Sequence, residues 1–308
     1  MNKVLISVTG PTAIGKTRLG ILLANHFNTE IISADSRQFY KEMLIGTAVP
    51  TKNELTSAVH YFIQHKSIHE PYSVGDFEKD ALKKLDELFQ EHEVVIMVGG
   101  SGLYVDAITK GLDAFPKVEK GIRENLNKQL ADNGIEILQA KLRELDPEHY
   151  NKIDIYNPHR IVRALEISIG TGRPYSSFLN KPKGKRNFKV LSVGLQADRS
   201  VVYERINERV DLMMKEGLLE EVRLLRDSRD LNALQTVGYK ELFEYLDGNW
   251  TLDFAISEIK KNTRRFAKRQ NTWFKKNLET LYVDYNYKEN EIIAMMDKAV
   301  MELQYEPT

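Results

Sequence analysis

"GPTAIGKT", residues 10–17, matches the phosphate-cradling pattern G-x-x-x-x-G-K-[ST]. Gly10 and Gly15 let the backbone turn so that loop N–H groups point at one anion, and the helix that follows adds its positive N-terminal end. Lys16 brings a full charge, and the Thr17 hydroxyl can ligate Mg²⁺. The octapeptide sits between an apolar run, "KVLISVTG" from residue 3, and a segment compatible with a helix. That strand–loop–helix context decides the fold.

Working outward, "EIISADS" from residue 30 and "VVIMVGG" from residue 94 are also short apolar runs followed by helical patterns. Such alternation predicts a parallel sheet with crossover helices. "FKVLSVGLQA" from 188 and "TLYVDY" from 280 read as further strands, and "YSVGDFEKDALKKLDELFQEH" as a Ser-capped helix with Phe77, Leu82, Leu85 and Leu88 on one side. Between about 117 and 187 the pattern is helical only, in "VEKGIRENLNKQLADNG" and "NPHRIVRALEISIGTG", before "RPYSSFLNKPKGKRNFK", which reads as an exposed basic connection. The expected fold is therefore α/β, a P-loop NTPase-like parallel sheet core flanked by helices, with an all-helical insertion. Residues 1–116 and 188–308 form the expected core, ending in a basic helix, and 117–187 the insertion.

The 308 residues suffice for one large domain or two modest ones. Lys plus Arg and Asp plus Glu are 44 each, so net charge says nothing about partners and the placement of charge becomes the informative quantity. The absence of Cys excludes disulfides, thiolate catalysis and a Cys-based zinc site. No stretch approaches the roughly 18 apolar residues of a membrane span, and "VLISV" is too short for a signal segment. A cytoplasmic monomer without membrane attachment is the expectation.

In an open α/β sheet, ligands bind at the carboxyl ends of the strands. The tips here are the phosphate loop, Asp35 with Ser36, and "GGSGLY" at 99–104, and all three are expected to face one crevice. From position alone Asp35 is a helix cap, a Mg²⁺ ligand or a catalytic carboxylate. The glycines of "GGSGLY" allow close approach of a substrate backbone or end a strand above a tightly packed helix. In the last long helix Leu252, Ile256, Ile259, Thr263, Phe266, Gln270 and Trp273 form one stripe, which makes Phe266 and Trp273 core residues. The opposite half carries Lys260, Lys261, Arg264, Arg265, Lys268, Arg269, Lys275 and Lys276 with no acidic residue from 260 to 276. So uniform a face repels itself and points to a polyanion such as nucleic acid. Arg160 with Arg163, and Arg205 with Arg209, are pairs able to clamp phosphate or to pair with carboxylates. The His spacings offer no transition-metal centre.

Taken in order, "GPTAIGKT", "IISADSRQFYKEMLIGTA", "YSVGDF", "VGGSGLYVDAI", "RIVRALEI", "GLLEEV", "VGYKEL" and "NTRRFAKRQNTWF" resemble the bacterial tRNA dimethylallyltransferases along nearly the whole chain. The resemblance implies transfer of the five-carbon group of dimethylallyl diphosphate to the exocyclic amine of the adenosine 3′ of a tRNA anticodon, with release of diphosphate. It implies that Gly10, Pro11, Thr12, Ala13, Ile14, Gly15, Lys16 and Thr17, with Arg205, hold the diphosphate, that Thr17 holds Mg²⁺, and that Asp35 is the base. Asp35, Ser36 and Gln38 would meet the target nucleotide, Arg37 the tRNA, and Ser101 and Arg123 the neighbouring RNA. Arg160 and Arg163 would meet the anticodon stem-loop or the diphosphate, and Arg264, Arg265, Lys268 and Arg269 the RNA backbone. The insertion would close over the anticodon loop.

The chain departs from the family pattern with Ser101 in place of Thr, His159 and Val49 where Arg and Lys are common, and "HYFIQHKSIHE" from residue 60, a loop to which no role is assigned. Rival readings are a P-loop small-molecule kinase, an isopentenyltransferase acting on free adenylate, and a non-catalytic RNA-binding protein. The kinase reading leaves the basic helix without a purpose, and "VVIMVGG" lacks an acidic end.

Overall fold

The computed structural model describes residues 1–181 and 184–305. Its strands are β1 (Val4–Thr9), β2 (Ile31–Ser33), β3 (His60–Tyr61), β4 (Val94–Val98), β5 (Lys189–Gln196) and β6 (Leu281–Asp284). They form one sheet in the order β3-β2-β4-β1-β5-β6, and every pairing is parallel. All six residues of β1 are buried, as a central parallel strand covered on both faces requires.

Alternation along the strands divides the core in two. Leu5, Ile32, Val95 and Met97 pack on one face, and Val4, Ile6, Val8, Ile31, Val94 and Ile96 on the other. The register matters for function. Val8 lies opposite Val98, and Val98 opposite Ser33, so the residues that follow β1, β2 and β4 leave the sheet at one level. The Ser-capped helix is present as Val74–Glu91, with a capping box between Ser73 and Asp76. Its buried stripe is Phe77, Ala81, Leu85, Leu88 and Phe89; Leu82 is only half-buried at its edge. The two-residue β3, not expected from the sequence, adds an edge strand on β2.

The chain divides into two compact units, Met1–Lys110 with Arg186–Thr308, and Gly111–Lys185. The second unit contains the helices Lys120–Asn133, Glu136–Leu145, Pro147–Tyr150 and Pro158–Thr171 around Leu126, Leu138, Leu142, Ile161 and Leu165. It begins at Gly111 rather than 117, and Phe115 stacks on Tyr175 with centroids 4.8 Å apart. The stretch read as an exposed basic connection is more ordered than that. Tyr175–Phe178 forms a 3₁₀ turn with Phe178 buried, and Arg186 pairs with Glu78 at 2.7 Å while donating to the carbonyls of Ala107 and Ile108. Pro182 and Lys183 lie outside the described residues. Among the described residues no helix is long and apolar enough to cross a membrane.

Candidate active site

The tips of β1, β2 and β4 open into one cavity of about 890 Å³. Thr12 enters from the phosphate loop, Asp35, Ser36 and Arg37 from the end of β2, and Gly100–Tyr104 from the end of β4. Arg209, on the helix Arg199–Lys215, and Phe266, Arg269, Gln270 and Trp273, on the helix Leu252–Phe274, complete this part of the wall.

The phosphate loop is held by backbone geometry. Gly10 (φ 144°) and Gly15 (φ 104°) occupy conformations that L side chains rarely adopt, and a Cβ on Gly10 would lie 2.8 Å from the carbonyl oxygen of Leu195. Ala13 is also left-handed, at φ 64°. Gly15 caps the helix Lys16–His26 without any side-chain cap, which leaves the N–H groups of the first turn for an anion. Pro11, Ala13 and Ile14 are buried, so they shape the loop from beneath. Lys16 Nζ donates to the carbonyl of Pro11 at 2.9 Å, folding the ammonium back over the loop it closes.

Arg205 Nε donates to the carbonyl of Ala13 at 2.8 Å, and Arg209 donates to Thr12 Oγ1 at 3.4 Å. The sequence pair "ERINER" is thus a brace under the loop, in which Arg209 faces the cavity and Arg205 is largely exposed.

Lys16, on the phosphate loop, and Asp35, in the cavity, both have perturbed proton affinities. Burial lowers the Lys16 ammonium from its ordinary 10.5 to about 8, against the upward pull of Asp35 and with added repulsion from Arg209. Burial raises the Asp35 carboxyl above the ordinary carboxylate range, opposed by the positive charges of Lys16, Arg37 and Arg209. A carboxylate so raised binds a proton more readily than a free one, which suits a general base. Asp35 Oδ1 also accepts the N–H of Arg37 at 3.3 Å.

Neighbouring side chains fix this constellation. Ser101 Oγ accepts the N–H of Ser36 at 3.0 Å and lies 3.1 Å from Ser36 Oγ, so its hydroxyl joins two strand tips. Arg37 donates to the carbonyls of Asn232 and Ala233. Gln38 Nε2 donates to the carbonyls of Thr47 and Ala48, at 3.2 and 2.9 Å, and so shapes a turn that lines the cavity. That turn is received by Glu221 of "GLLEEV", whose carboxylate accepts the N–H groups of Leu44, Ile45 and Gly46 at 2.9, 2.7 and 3.0 Å.

The glycines after β4 take the second of the two readings offered by the sequence. A Cβ on Gly99 would meet Ala34 backbone at 2.5 Å, one on Gly100 Gln270 Nε2 at 2.5 Å, and one on Gly102 the Trp273 ring at 2.4 Å. They are glycines because protein packs on them.

The long helix corrects two expectations. Phe266 is not a core residue; it is 38% exposed and lines the cavity, with the Arg269 guanidinium 5.7 Å from its ring centroid. Trp273 is half-buried, lines the cavity and donates its indole N–H to Asp106 Oδ2 at 2.8 Å. The helix buries Ala255, Ile259, Ala267, Gln270 and Phe274; Ile259 and Gln270 belong to the stripe read in the sequence, whereas Phe266 and Trp273 lie toward its edge, where the cavity begins. Nor is the basic face uniformly unpaired. Lys260 pairs with Asp211 at 2.6 Å, Lys261 with Glu258, and Arg264 donates to Asn207 Oδ1 at 2.7 Å. Arg265, Lys268, Arg269, Lys275 and Lys276 are exposed.

In the helical unit, Arg163 pairs with Glu166 at 2.8 Å and stacks over Phe115, while Arg123 stands 3.9 Å from the same carboxylate. Arg160 is exposed at the start of the helix Pro158–Thr171. The loop from residue 60, given no role from sequence, packs His65 against Phe39, Phe62 and Tyr72 behind the end of β2. Two residues that the sequence did not single out for the site belong to its framework. Glu221 holds one wall, and Gln270, read as part of an apolar stripe, reaches the phosphate loop.

Comparison with known proteins agrees with this architecture. The family described as IPP transferase matches residues 38–277. A tRNA dimethylallyltransferase of Christiangramia forsetii is 60% identical over 300 residues, covering 97% of this chain and 99% of its own. One from Flavobacterium psychrophilum is 57% identical over 299 residues, covering 95% and 97%. Among solved structures, the full-length tRNA isopentenylpyrophosphate transferase of Bacillus halodurans superposes with a TM-score of 0.73 at 36% identity, over 99% of this chain and 98% of that one. A eukaryotic dimethylallyltransferase acting on tRNA gives a TM-score of 0.83 at 25% identity, over 97% of this chain and 80% of that one. A family model over residues 38–277 and sequence identity of this extent lead to one conclusion: the chain belongs to the IPP transferase family.

Proposed function

We infer that this protein transfers the dimethylallyl group of dimethylallyl diphosphate to the exocyclic amine of the adenosine 3′ of the anticodon in tRNA, releasing diphosphate. The observation that carries this reading is the meeting, in one cavity, of an anion-binding loop, a carboxylate of raised proton affinity and the basic helix. The tRNA-modifying names of relatives at up to 60% identity support it.

Departure of an allylic diphosphate breaks the C–O bond and leaves the electron pair on a diphosphate oxygen. Preorganised donors stabilise that charge as it develops. In this chain they are the N–H groups at the start of the helix Lys16–His26 and the Lys16 ammonium, on a loop braced by Arg205 and Arg209. The adenine amine has its lone pair delocalised into the ring, so it attacks only as its proton leaves. Asp35 takes that proton while the N–C bond forms. The raised proton affinity of its carboxyl is the property this step needs.

Mg²⁺ fits the site as an ion with few protein ligands. Among the described residues no group of three or more His, Cys, Asp or Glu could hold a metal, whereas Mg²⁺ is commonly bound by one or two protein oxygens, water and substrate phosphates. The Thr17 hydroxyl would be the protein oxygen that holds it, and the ion would neutralise charge on the leaving diphosphate.

The target base must leave its stack to enter a cavity between strand tips, which is least costly in a single-stranded loop. Ser36, Arg37 and Ser101 line the entry beside Asp35, Gln38 holds the turn at Thr47 and Ala48, and the exposed ring of Phe266 offers a purine a stacking surface. Arg265, Lys268 and Arg269, with Arg264 behind them, meet RNA phosphates; Arg123, Arg160 and Arg163 supply cations from the helical unit. Incubation with labelled dimethylallyl diphosphate, tRNA and excess AMP tests the reading. Label is expected in the tRNA with AMP failing to compete. Label in AMP, or transfer of phosphate from ATP to an acceptor, would overturn it.

A further inference from the structure

Gln270 faces inward from the helix Leu252–Phe274, is 6% exposed, and uses both ends of its carboxamide. Oε1 accepts the N–H of Thr12 at 2.9 Å, and Nε2 donates to the carbonyl of Gly100 at 2.8 Å. A backbone N–H only donates and a carbonyl only accepts, so the partners fix which way the amide points. A Cβ on Gly100 would lie 2.5 Å from Gln270 Nε2 and 3.6 Å from Asp35 Oδ2, which places both side chains beside one glycine. A single residue therefore ties the tip of β1 to the tip of β4 next to Asp35. Lys268 and Arg269, the two residues before it on the same helix, are exposed.

We propose that Gln270 is a positioning residue of the transfer reaction: it sets the phosphate loop against the Gly99–Ser101 tip and joins that geometry to the helix that receives RNA. The proposal rests on the reading of the site given above. A loop of preorganised donors loses its advantage when it drifts, and a displacement of about 1 Å can cost roughly 10²-fold in rate. Thr12 is where such drift would start, since Arg209 reaches only its hydroxyl, at 3.4 Å. Only an amide satisfies both partners. A carboxylate accepts from Thr12 but cannot donate to Gly100, and it sets a second negative charge beside Asp35; a thioether does neither.

The test compares the intact wild-type chain with Gln270→Met and Gln270→Glu, with folding checked by thermal melting. Pyrophosphate affinity in the presence of Mg²⁺ is read by calorimetry, affinity for an anticodon stem-loop by titration, and turnover across pH. Gln270→Met is expected to weaken pyrophosphate binding about tenfold and to lower kcat, with stem-loop affinity kept within about twofold. Gln270→Glu is expected to move the acid limb of the pH profile to higher pH, because a neighbouring carboxylate raises the proton affinity of Asp35. Pyrophosphate affinity and kcat within about twofold of wild type in Gln270→Met, or an unmoved acid limb in Gln270→Glu, would overturn the proposal. So would losses of pyrophosphate and stem-loop binding that track a common loss of melting temperature. Wild-type protein that fails to bind pyrophosphate would remove the underlying reading of the site and this proposal with it.

Discussion

Tyr239 donates its phenolic hydrogen to Glu221 across 2.6 Å, and the same carboxylate accepts three successive backbone N–H groups from Leu44, Ile45 and Gly46. Gly46 is a glycine for this reason, since a Cβ there would lie 2.6 Å from the Tyr239 ring. The turn so held, Gly46–Ala48, is one wall of the cavity. Tyr239→Phe is expected to cost about 1–2 kcal/mol, and Glu221→Ala, which strips partners from four donors, about 3 kcal/mol or more. Chemical denaturation checks both. Equal stability of Glu221→Ala and wild type would remove the carboxylate from the framework.

Asp35→Asn separates catalysis from stability. Because burial raises the proton affinity of the Asp35 carboxyl, the folded protein holds that proton more tightly than the unfolded chain, and the ionised form is the destabilised one at neutral pH. A neutral isostere is expected to raise the unfolding midpoint at pH 7 while abolishing transfer. Substantial turnover in Asp35→Asn would exclude the carboxylate as the base.

The pH dependence follows from the two perturbed groups. The proposed reaction needs Asp35 ionised and Lys16 charged, so kcat/KM is expected to rise with pH through the raised value of Asp35 and to fall near pH 8 as free Lys16 loses its proton. Bound diphosphate favours the charged ammonium, so the alkaline limb in kcat should lie at higher pH. Lys16→Arg should remove that limb altogether. For stability the sign is opposite to that of Asp35. Between about 8 and the ordinary 10.5 the unfolded chain binds the additional proton, so Lys16 contributes stability that increases with pH across that interval.

Replacement of exposed Lys268 and Arg269 by Ala is expected to weaken stem-loop binding and to flatten the plot of log affinity against log salt by about 1.5 units, at roughly 0.7–0.9 per phosphate contact. Lys260 and Lys261, already paired with Asp211 and Glu258, should matter less to that slope. A slope unchanged by the Lys268 and Arg269 substitutions would take the helix out of the RNA interface.

Much of this site can be read in the sequence because its parts are local. A phosphate loop declares itself in eight residues, and buried parallel strands appear as short, mostly apolar runs rich in Val, Ile and Leu. What was not legible is what depends on distant partners. The two residues of β3 are strand only because the edge of β2 is there to pair with them. The 3.6-residue period placed Phe266 on an apolar stripe, but only the packed helix shows which side of that stripe meets protein and which meets the cavity. Lys260 is neutralised by Asp211, far away in the chain. Gln270 did leave a signal, since a lone amide in an apolar stripe is a polar group that must find buried partners. Those partners, Thr12 and Gly100, could be named only once the fold brought them together.

The account turns on one product. An unmodified tRNA anticodon stem-loop, incubated with the protein, Mg²⁺ and dimethylallyl diphosphate and then sequenced by tandem mass spectrometry, is predicted to gain a single five-carbon isoprenoid unit on the adenosine 3′ of the anticodon, with one diphosphate released per unit gained. Release of diphosphate with no gain of mass on the RNA, or a gain at any other nucleotide, would contradict it.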